Sequence, residues 1–308
     1  MRYLVTGGCG FIGSHLAEAL AAEGAAVRVY DDLSSGHERN LAAFRDKVEF
    51  VRGDVRDRAA LEAAMDGVDA VFHEAAVVSV FDSVERPVDN HEINVTGTLN
   101  VLLAARARGV RRVVAASSAA VYGDDPALPK REDMRPQAES PYAAAKIAGE
   151  HYLNVFAKRY RLPTVSLRYF NVYGPRQDPA SMYSGVVSKF VDALRAGGAP
   201  TVYGDGRQTR DFVFVKDVVQ ANLLALRAPG IGNGEAFNVG TGECTSLLDL
   251  LEALRALTGR TFRTVFREAR AGDVRDSVAD ISRARQELGF APQYDIRRGL
   301  AALLGSSR

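Results

Sequence analysis

The sequence predicts an α/β protein with a doubly wound parallel sheet and a smaller α/β region after it. Short β-branched segments alternate with stretches in which apolar residues have helical spacing. The segments are RYLVT from residue 2, AVRVYD from 26, KVEFVRGD from 47, AVFH from 70, RRVVAASS from 111 and TVSLRYF from 164. Strands that alternate with helices form βαβ units, and right-handed crossovers place helices on both faces of the sheet. The helix before the sixth strand is predicted over Pro141 to about Tyr160.

The second half of the chain has a different composition. Beyond Asn171 the loops are rich in Gly, Pro, Asp and Arg, as is typical of a region that covers a substrate. Helices are predicted near Val186 to Arg195, Lys216 to Arg227, Leu247 to Leu257 and Ile281 to Leu288. We predict a first domain over residues 1–172 and a second over 173–308. A segment of about 212–240 is expected to return to the first domain.

Composition restricts the classes of partner. The 308 residues are 47% hydrophobic and 25% charged, enough for a large core, and the formal charge of +1 leaves no basic surplus for nucleic acid. No apolar run approaches the length that spans a membrane. Cys9 and Cys244 lie far apart, which indicates neither a disulfide framework nor a zinc site or other metal site. With the first strand starting at about Arg2, no signal peptide is expected, and the predicted location is the cytoplasm.

Two predicted helices carry more apolar surface than one sheet contact needs. They cover about Pro87 to Arg108 and Pro141 to Tyr160. These helices could pair with their copies in a homodimer, or they could pack against other parts of a single chain. The pattern alone does not separate the two arrangements, and the homodimer is our prediction.

Three glycines, Gly7, Gly10 and Gly13, follow the first predicted strand in TGGCGFIGSH. Because glycine has no side chain, the backbone here can approach a pyrophosphate, and the N-terminus of the next helix can meet its charge. Asp31 closes the second strand about 20 residues downstream, the place of a carboxylate that binds the adenosine ribose hydroxyls. Asp31 and Asp32 would repel the 2′-phosphate of NADP. The pattern therefore predicts a Rossmann-type site for NAD.

Tyr142 and Lys146 in SPYAAAKIAGE lie four residues apart on a predicted helix, so the phenol and the ammonium share one face. A neighbouring cation stabilises a phenolate. An unperturbed tyrosine has a pKa near about 10, so a base at neutral pH needs a fall of about 3 pH units. That demand predicts a partly buried site. A surface pair on an ordinary amphipathic helix is the alternative, and Ser118 in AASSAAVYG together with the glycine loop argues against it.

With these residues identified, the chain resembles the extended short-chain dehydrogenase/reductases, and within them the nucleotide-sugar 4-epimerases of the UDP-galactose 4-epimerase family. The resemblance extends over essentially the whole chain. Within this family, the chain looks most like the bacterial UDP-N-acetylglucosamine 4-epimerases. The motifs that carry it are TGGCGFIGSH, GDVRD, HEAA, NVTGT, SSAAVYG, YAAAK, RYFNVYGPRQDP, YGDGRQTRDFVFVKDV and RAGDVRDSVADISRA.

The resemblance implies NAD as cofactor, a UDP-sugar as substrate, and a set of site residues. The implied catalytic residues are Ser118, Tyr142 and Lys146. The implied cofactor contacts are Gly7, Gly10, Phe11, Ile12, Gly13, Asp31, Asp32, Ser35, Gly36, Asp54, Val55, Ala75, Ala76, Asn94, Ser117, Tyr142 and Lys146. The implied substrate contacts are Ser118, Tyr142, Asn171, Tyr203, Arg210, Arg270, Asp273 and Ser277. For Asp54, a simple turn aspartate is a competing interpretation.

The family mechanism implied here is redox epimerisation. Tyr142 would take the proton of the sugar C4 hydroxyl while NAD accepts the C4 hydride, with Ser118 hydrogen-bonding the same oxygen. The resulting 4-keto sugar would turn over inside its pocket and receive the hydride on the other face.

The substrate and the reaction type have alternatives. Dehydratases of the family carry an Asp-Glu pair where this chain has Ala119 and Ala120, so plain epimerisation is expected. Ser277 replaces a large aromatic of glucose/galactose-restricted relatives, which leaves room for an N-acetyl group. We therefore expect UDP-GlcNAc/UDP-GalNAc interconversion, with UDP-Glc/UDP-Gal also possible. UDP-glucuronate epimerisation, another nucleotide-sugar reaction of the same enzyme class, plain sugar dehydrogenation and a non-catalytic NAD sensor are the alternatives.

Overall fold

A computed structural model describes residues 1–178, 185–269 and 274–306. The strands are β1 (Arg2–Thr6), β2 (Ala26–Asp31), β3 (Val48–Arg52), β4 (Ala70–His73), β5 (Arg112–Ser118), β6 (Thr164–Tyr169), β7 (Asn171–Tyr173), β8 (Thr201–Tyr203), β9 (Thr209–Arg210), β10 (Phe212–Phe214), β11 (Asn233–Val239), β12 (Thr245–Ser246), β13 (Val265–Arg267) and β14 (Asp276–Ser277). The α-helices are α1 (Phe11–Ala22), α2 (Arg58–Ala64), α3 (Val80–Glu85), α4 (Pro87–His91), α5 (Gly97–Ala107), α6 (Pro141–Tyr160), α7 (Val186–Arg195), α8 (Val215–Arg227), α9 (Leu247–Thr258), α10 (Ser282–Leu288) and α11 (Ile296–Gly305).

The central sheet confirms the predicted doubly wound α/β fold. Among the described residues it contains seven strands in the order β11-β6-β5-β4-β1-β2-β3, and all neighbouring strands are parallel. The chain winds outward from β1 to β3 and then returns to build β4, β5 and β6 on the other side. In such sheets, ligands bind at the carboxyl ends of the strands where the winding direction changes. The expected crevice therefore lies above the ends of β1 and β4.

Two apolar layers cover the two faces of this sheet. Successive side chains of a strand point to opposite faces, so Leu4 packs in one layer and Val5 in the other, and both are fully buried. The Leu4 layer includes apolar residues of α2, α5 and α6. The Val5 layer includes those of α1, α8 and α10. Burial on both faces explains why the strands read as β-branched runs.

The second half of the chain contributes to two bodies of structure. α7, α9 and α11 form a separate apolar cluster with β8 and β10. By contrast, β11 pairs with β6 at the edge of the central sheet, and α8 contacts α1. The division between residues 172 and 173, with return of about 212–240, stays a prediction.

The helix predicted over Pro87 to Arg108 has an internal irregularity. It consists of α4, a π-helical turn over Glu92–Thr96, and α5. Asn94 lies inside this turn, where its side chain accepts from the Val77 backbone N at 2.9 Å and donates to the Val77 carbonyl at 2.8 Å. Such wide turns are frequent near functional sites.

Cys9 is buried, Cys244 is exposed, and neither forms a disulfide. Across the described ranges, we find no helix with the combined length and apolar character that crossing a membrane requires. The cytoplasmic location stays a prediction.

Candidate active site

The glycine loop lies where the sequence predicts it, between β1 and α1. Gly7 has φ +66°, and a Cβ added to it would lie 2.7 Å from the backbone N of Ala75. A Cβ at Gly13 would collide with the carbonyl oxygen of Gly7. Gly10 caps α1, which starts at Phe11 and continues through Ile12, so the positive helix end opens onto the loop. The geometry forms a tight backbone cradle at the mouth of the crevice.

Asp31 stands at the end of β2 beside this cradle. Its side chain is 6% exposed and accepts hydrogen bonds from the backbone N atoms of Cys9, at 2.9 Å, and Leu33, at 2.8 Å. Burial raises the pKa of Asp31, and the two backbone donors oppose that rise. A Cβ at Gly36 would lie 2.9 Å from the carboxylate, so only glycine lets the next loop pass so closely. The carboxylate thereby joins the glycine loop to the loop after β2.

The other residues predicted to contact adenosine occupy the same edge. Asp32 Oδ1 accepts from the backbone N of Ser34 at 2.9 Å, and Ser35 is exposed. Asp54 follows β3, and its side chain accepts a hydrogen bond from the backbone N of Arg56 at 2.8 Å. This is the arrangement of a turn aspartate, the alternative to a cofactor contact at this position. Its pKa is lowered chiefly by the side-chain hydrogen bond from Arg56. Val55 is buried next to it.

The loop after β4 lines the opposite side of the cradle. Its residues Ala75 and Ala76 are half-buried. His73 is held between the hydroxyls of Thr6, at 2.8 Å, and Thr98, at 2.9 Å, and burial lowers its pKa to about 3. Asn94 holds the loop farther along, through the backbone of Val77, so its side chain has a structural use besides the predicted cofactor contact.

Ser118, Tyr142 and Lys146 converge at the end of β5. Ser118 hydrogen-bonds the phenol of Tyr142, which is 7% exposed on α6. Lys146 Nζ donates to the Ala116 carbonyl at 2.9 Å and lies 5.8 Å from the centre of the Tyr142 ring. Ser140 caps α6 by accepting from the backbone N of Ala143 at 3.1 Å, which fixes where this helix begins. The predicted catalytic residues are therefore neighbours.

The electrostatics of this cluster differ from the sequence-based expectation that Lys146 lowers the pKa of Tyr142. Burial raises the pKa of Tyr142, and the hydrogen bond from Ser118 opposes that rise. Burial also lowers the pKa of Lys146 to about 8, against the opposing charges of Glu74 and Glu150. The physical reason is that Lys146 directs its ammonium to a backbone carbonyl while both groups lose hydration.

Ser117 points away from the cradle toward α6. Its hydroxyl donates to Glu150 Oε1 at 2.6 Å, and Glu150 also forms a paired contact with Arg168, at 2.7 and 2.8 Å. The side chains of Arg168 and Glu150 are 5% and 12% exposed. Sequence reasoning missed this buried ion pair, because its partners lie on different elements.

The predicted sugar-nucleotide contacts lie on the second region. Ser277 in β14 pairs with Arg210 in β9, and Arg210 Nη1 donates to the backbone carbonyls of Thr209, at 2.8 Å, and Arg275, at 3.0 Å. Asn171 starts β7, and its backbone N donates to the Asp211 carbonyl at 3.0 Å. Asn171 therefore bonds to the backbone of Asp211, next to Arg210, which pairs with Ser277.

Three further residues were predicted to contact the substrate, and none of them lies on β9 or β14 with Arg210 and Ser277 in the described part of the chain. Tyr203 ends β8, and its carbonyl accepts from Gln208 Nε2 at 2.6 Å. Arg270 and Asp273 lie outside the described residues.

Glu74 is a site residue that the sequence analysis did not select. It follows β4 directly, is half-buried, and accepts from the Tyr169 hydroxyl at 2.8 Å. Burial raises its pKa to about 7, against the Tyr169 hydrogen bond and the Lys146 charge. The available signal was its position: a polar residue at the carboxyl end of a parallel strand faces the ligand crevice.

The crevice fits NAD on its own geometry. The cradle at Gly7 and Gly13 has no room for side chains, and the open end of α1 suits a diphosphate. Asp31 stands one strand away, where a ribose would lie. Ser118 and Tyr142 stand on the other side of β1 and β4, where the reactive end of a dinucleotide would reach.

Known proteins share this architecture. The NAD dependent epimerase/dehydratase family matches residues 3–240. A UDP-glucose 4-epimerase of Mycolicibacterium smegmatis is 46% identical over 98% of this chain and 96% of its own. The solved UDP-N-acetylglucosamine 4-epimerase of Methanobrevibacter ruminantium, in complex with UDP-N-acetylmuramic acid, is 36% identical, with a TM-score of 0.94 over 98% of this chain and 96% of that one.

The UDP-glucose 4-epimerase of Thermus thermophilus, solved with NAD, is 40% identical, with a TM-score of 0.89 over 99% of this chain and 98% of that one. The matches cover both halves of the chain, including the glycine cradle and the Tyr142 helix. The chain therefore belongs to the NAD dependent epimerase/dehydratase family, and within it to the extended short-chain dehydrogenase/reductases that work as NAD-dependent nucleotide-sugar 4-epimerases.

Proposed function

We propose that this NAD-dependent 4-epimerase of UDP-sugars interconverts UDP-GlcNAc and UDP-GalNAc, and also accepts UDP-Glc and UDP-Gal. The observation that carries the redox assignment is the convergence of Ser118, Tyr142 and Lys146 at the end of β5, beside the glycine cradle. The N-acetyl preference depends on the small side chain of Ser277.

In the proposed step, the Tyr142 oxygen accepts the proton of the sugar C4 hydroxyl. Because burial raises the pKa of Tyr142, the phenolate form would depend on the positive charges of Lys146 and of an oxidised nicotinamide ring beside it. NAD held by the glycine cradle and Asp31 would supply the hydride acceptor for C4 in the first half of the cycle and the hydride donor in the second. Ser118 donates a hydrogen bond to the C4 oxygen and holds it against Tyr142, while Lys146 supplies positive charge for the phenolate. Because the proton and the hydride both return to the sugar, Tyr142 regains its starting state. The inverted product differs from the substrate only at C4.

The residues after Ser118 favour epimerisation over further processing of the 4-keto sugar. Ala119 and Ala120 start a short 3-10 helix that Ser118 caps, its Oγ accepting from the Ala120 backbone N at 3.1 Å. Methyl groups neither donate nor accept protons, so these two positions supply no acid or base for dehydration.

The side chain at position 277 in β14 bears on the size of sugar that the site accepts. Ser277 is half-buried and lies in register with Arg210, which we assign to the nucleotide diphosphate because a guanidinium makes paired, charge-assisted bonds to phosphate oxygens. A large aromatic at position 277 would fill the space beside the sugar, and serine leaves it open for an acetamido group. Tyr203, Asn171, Arg270 and Asp273 are further proposed substrate contacts.

One experiment tests the function directly. The purified protein is incubated with UDP-Glc, UDP-Gal, UDP-GlcNAc, UDP-GalNAc and UDP-glucuronate, and products are separated by chromatography while absorbance at the NADH wavelength is followed. We expect interconversion of both neutral pairs without net NADH. Net NADH would indicate a dehydrogenase, a 4-keto-6-deoxy product a dehydratase, conversion of glucuronate alone a uronate epimerase, and no turnover of any sugar a non-catalytic NAD-binding protein.

We further propose a homodimer through the helices near 87–108 and 141–160. The support is a set of exposed apolar side chains: Val84 is 58% exposed, Val88 66% and Val155 45%. They belong to α3, α4 and α6, and α6 contacts both α3 and α4. Light scattering after gel filtration should give twice the chain mass, and Val155→Glu should shift it toward the monomer. A monomeric wild-type protein would overturn this assignment.

A further inference from the structure

Asp211 is a buried acid that the proposed mechanism does not use. It lies between β9 and β10, directly after Arg210, and is 0% exposed. Each oxygen of its carboxylate accepts two hydrogen bonds. Oδ1 accepts from the backbone N and the hydroxyl of Thr241, both at 2.7 Å, and Oδ2 accepts from the backbone N atoms of Gly242, at 2.9 Å, and Ala279, at 3.1 Å. Four donors hold the carboxylate in one orientation.

The backbone of Asp211 bonds to two of the proposed substrate contacts. Its N donates to the Ser277 carbonyl at 2.8 Å. Its carbonyl accepts from Asn171 twice, from the backbone N at 3.0 Å and from Nδ2 at 3.4 Å. Arg210 precedes it in the chain and lies in register with Ser277. Asp211 is therefore bonded or adjacent to three residues that we assign to the sugar-nucleotide.

The carboxylate joins this part of the second region to the edge of the central sheet. Three of its four donors belong to the loop after β11, which pairs with β6, and β6 pairs in turn with β5, the strand that ends at Ser118. The two parts approach so closely that a Cβ added at Gly240 would lie 2.5 Å from Asp211 Oδ2. The fourth donor, Ala279, belongs to the chain that leaves β14. The carboxylate thus ties β14 to the sheet that carries the redox cluster.

We propose that Asp211 is a positioning residue for the nucleotide diphosphate, and that it sets where Arg210 stands relative to Tyr142. The inference rests on the proposed function, in which the diphosphate stays anchored while the 4-keto sugar turns over. An anchor displaced by about 1 Å would move C4 away from the phenol, and misplacement of that size is costly even when the changed residue touches no substrate. Because its carboxylate is buried and carries four donors, Asp211 acts through its neighbours and not by contact with the substrate.

The first test is Asp211→Asn in the NAD-loaded enzyme, with UDP as the ligand in isothermal titration calorimetry. The amide keeps one acceptor oxygen, and its NH2 group faces two of the donors and leaves them unpaired. We expect the affinity for UDP to fall by about tenfold, as the loss of partners for buried donors allows. The amount of bound NAD should stay at the wild-type level, because the glycine cradle is unchanged.

Asp217→Asn is the matched control. Asp217 is 1% exposed, and its carboxylate also accepts from backbone N atoms, those of Gln293 at 2.8 Å and Tyr294 at 3.1 Å, in the segment before α11. The same chemical change at this second buried acid should lower the thermal transition and leave the affinity for UDP unchanged.

Thr241 offers a milder pair of variants, which decides the question alone if Asp211→Asn does not fold. Thr241→Val removes one of the four donors and should weaken UDP binding by about threefold. Thr241→Ser keeps the hydroxyl and should restore the wild-type affinity. In the valine variant, kcat/KM for the accepted UDP-sugar should fall by at least the same factor as the affinity for UDP, since the sugar is misplaced together with its anchor.

Wild-type affinity for UDP in Asp211→Asn or Thr241→Val overturns the proposal. An equal loss of affinity in Asp217→Asn also overturns it, because it would indicate general loosening of the fold. A wild-type protein that does not bind UDP at all would overturn the proposed function, and this inference with it, so the two failures are distinguished by the wild-type titration.

Discussion

The ammonium of Lys146 donates a 2.9 Å hydrogen bond to the backbone carbonyl of Ala116, which ties the middle of α6 to the end of β5. The same strand ends at Ser118, and the same helix carries Tyr142 one turn before Lys146. The strand end and the helix that carry the proposed redox cluster are therefore joined by a contact within the cluster itself.

Tyr142→Phe should lower turnover of every accepted UDP-sugar by at least about a hundredfold, the usual lower range for a general acid–base group. The ring and its packing remain, and only the proton acceptor is lost. Initial rates by chromatography measure the effect. The thermal transition and the amount of bound NAD should stay close to wild type, and near-normal turnover would refute the assigned role.

Ser277→Tyr should suppress conversion of UDP-GlcNAc more than that of UDP-Glc. The larger ring would occupy the space that we assign to the acetamido group, next to Arg210 in β9. The ratio of kcat/KM for the two sugars is the measurement. Ser277→Ala is the control because it keeps the space and should keep the ratio; an equal loss on both sugars in the tyrosine variant would remove the size argument.

Gly13→Ala should release NAD. A Cβ at this position collides with the Gly7 carbonyl, so the cradle must open. The NAD content per chain after gel filtration reports the effect. Gly149→Ala in α6 is the matched control, since its added Cβ would meet only Thr98 Cγ2 at an ordinary 3.9 Å. Full NAD content in Gly13→Ala would mean that the loop does not bind the diphosphate as described.

His73→Asn should weaken the pH dependence of stability. The folded-state pKa of His73 is lowered to about 3 by burial, below the unfolded value of 6.5. Between these values the unfolded chain binds one proton more, so His73 lowers stability as the pH falls from 6.5 toward 3. The slope of the unfolding free energy between about pH 6 and 4 should decrease by about 1.4 kcal/mol per pH unit in the variant. Urea titrations at several pH values measure it, and an unchanged slope would contradict a buried neutral His73.

Local patterns in the sequence were sufficient to predict the architecture of the central sheet. β-branched runs between helical stretches predicted the parallel sheet, because strands buried on both faces need apolar residues at every position. The spacing of Tyr142 and Lys146 predicted their common helix face, which depends only on the helical repeat. The π-helical turn around Asn94 was not predicted, because its side chain bonds to a loop far away in sequence.

The sequence by itself determined the sheet, the glycine cradle and the identity of the proposed redox residues, since each follows from spacing within one or two neighbouring elements. Only the tertiary structure decided the charge balance around Lys146. Glu74, Tyr169 and Asn222 come from three separate elements, and their meeting depends on how β4, β6 and α8 pack. Burial, which raises the pKa of Tyr142 and lowers that of Lys146, is likewise a property of the assembled fold and of no single segment.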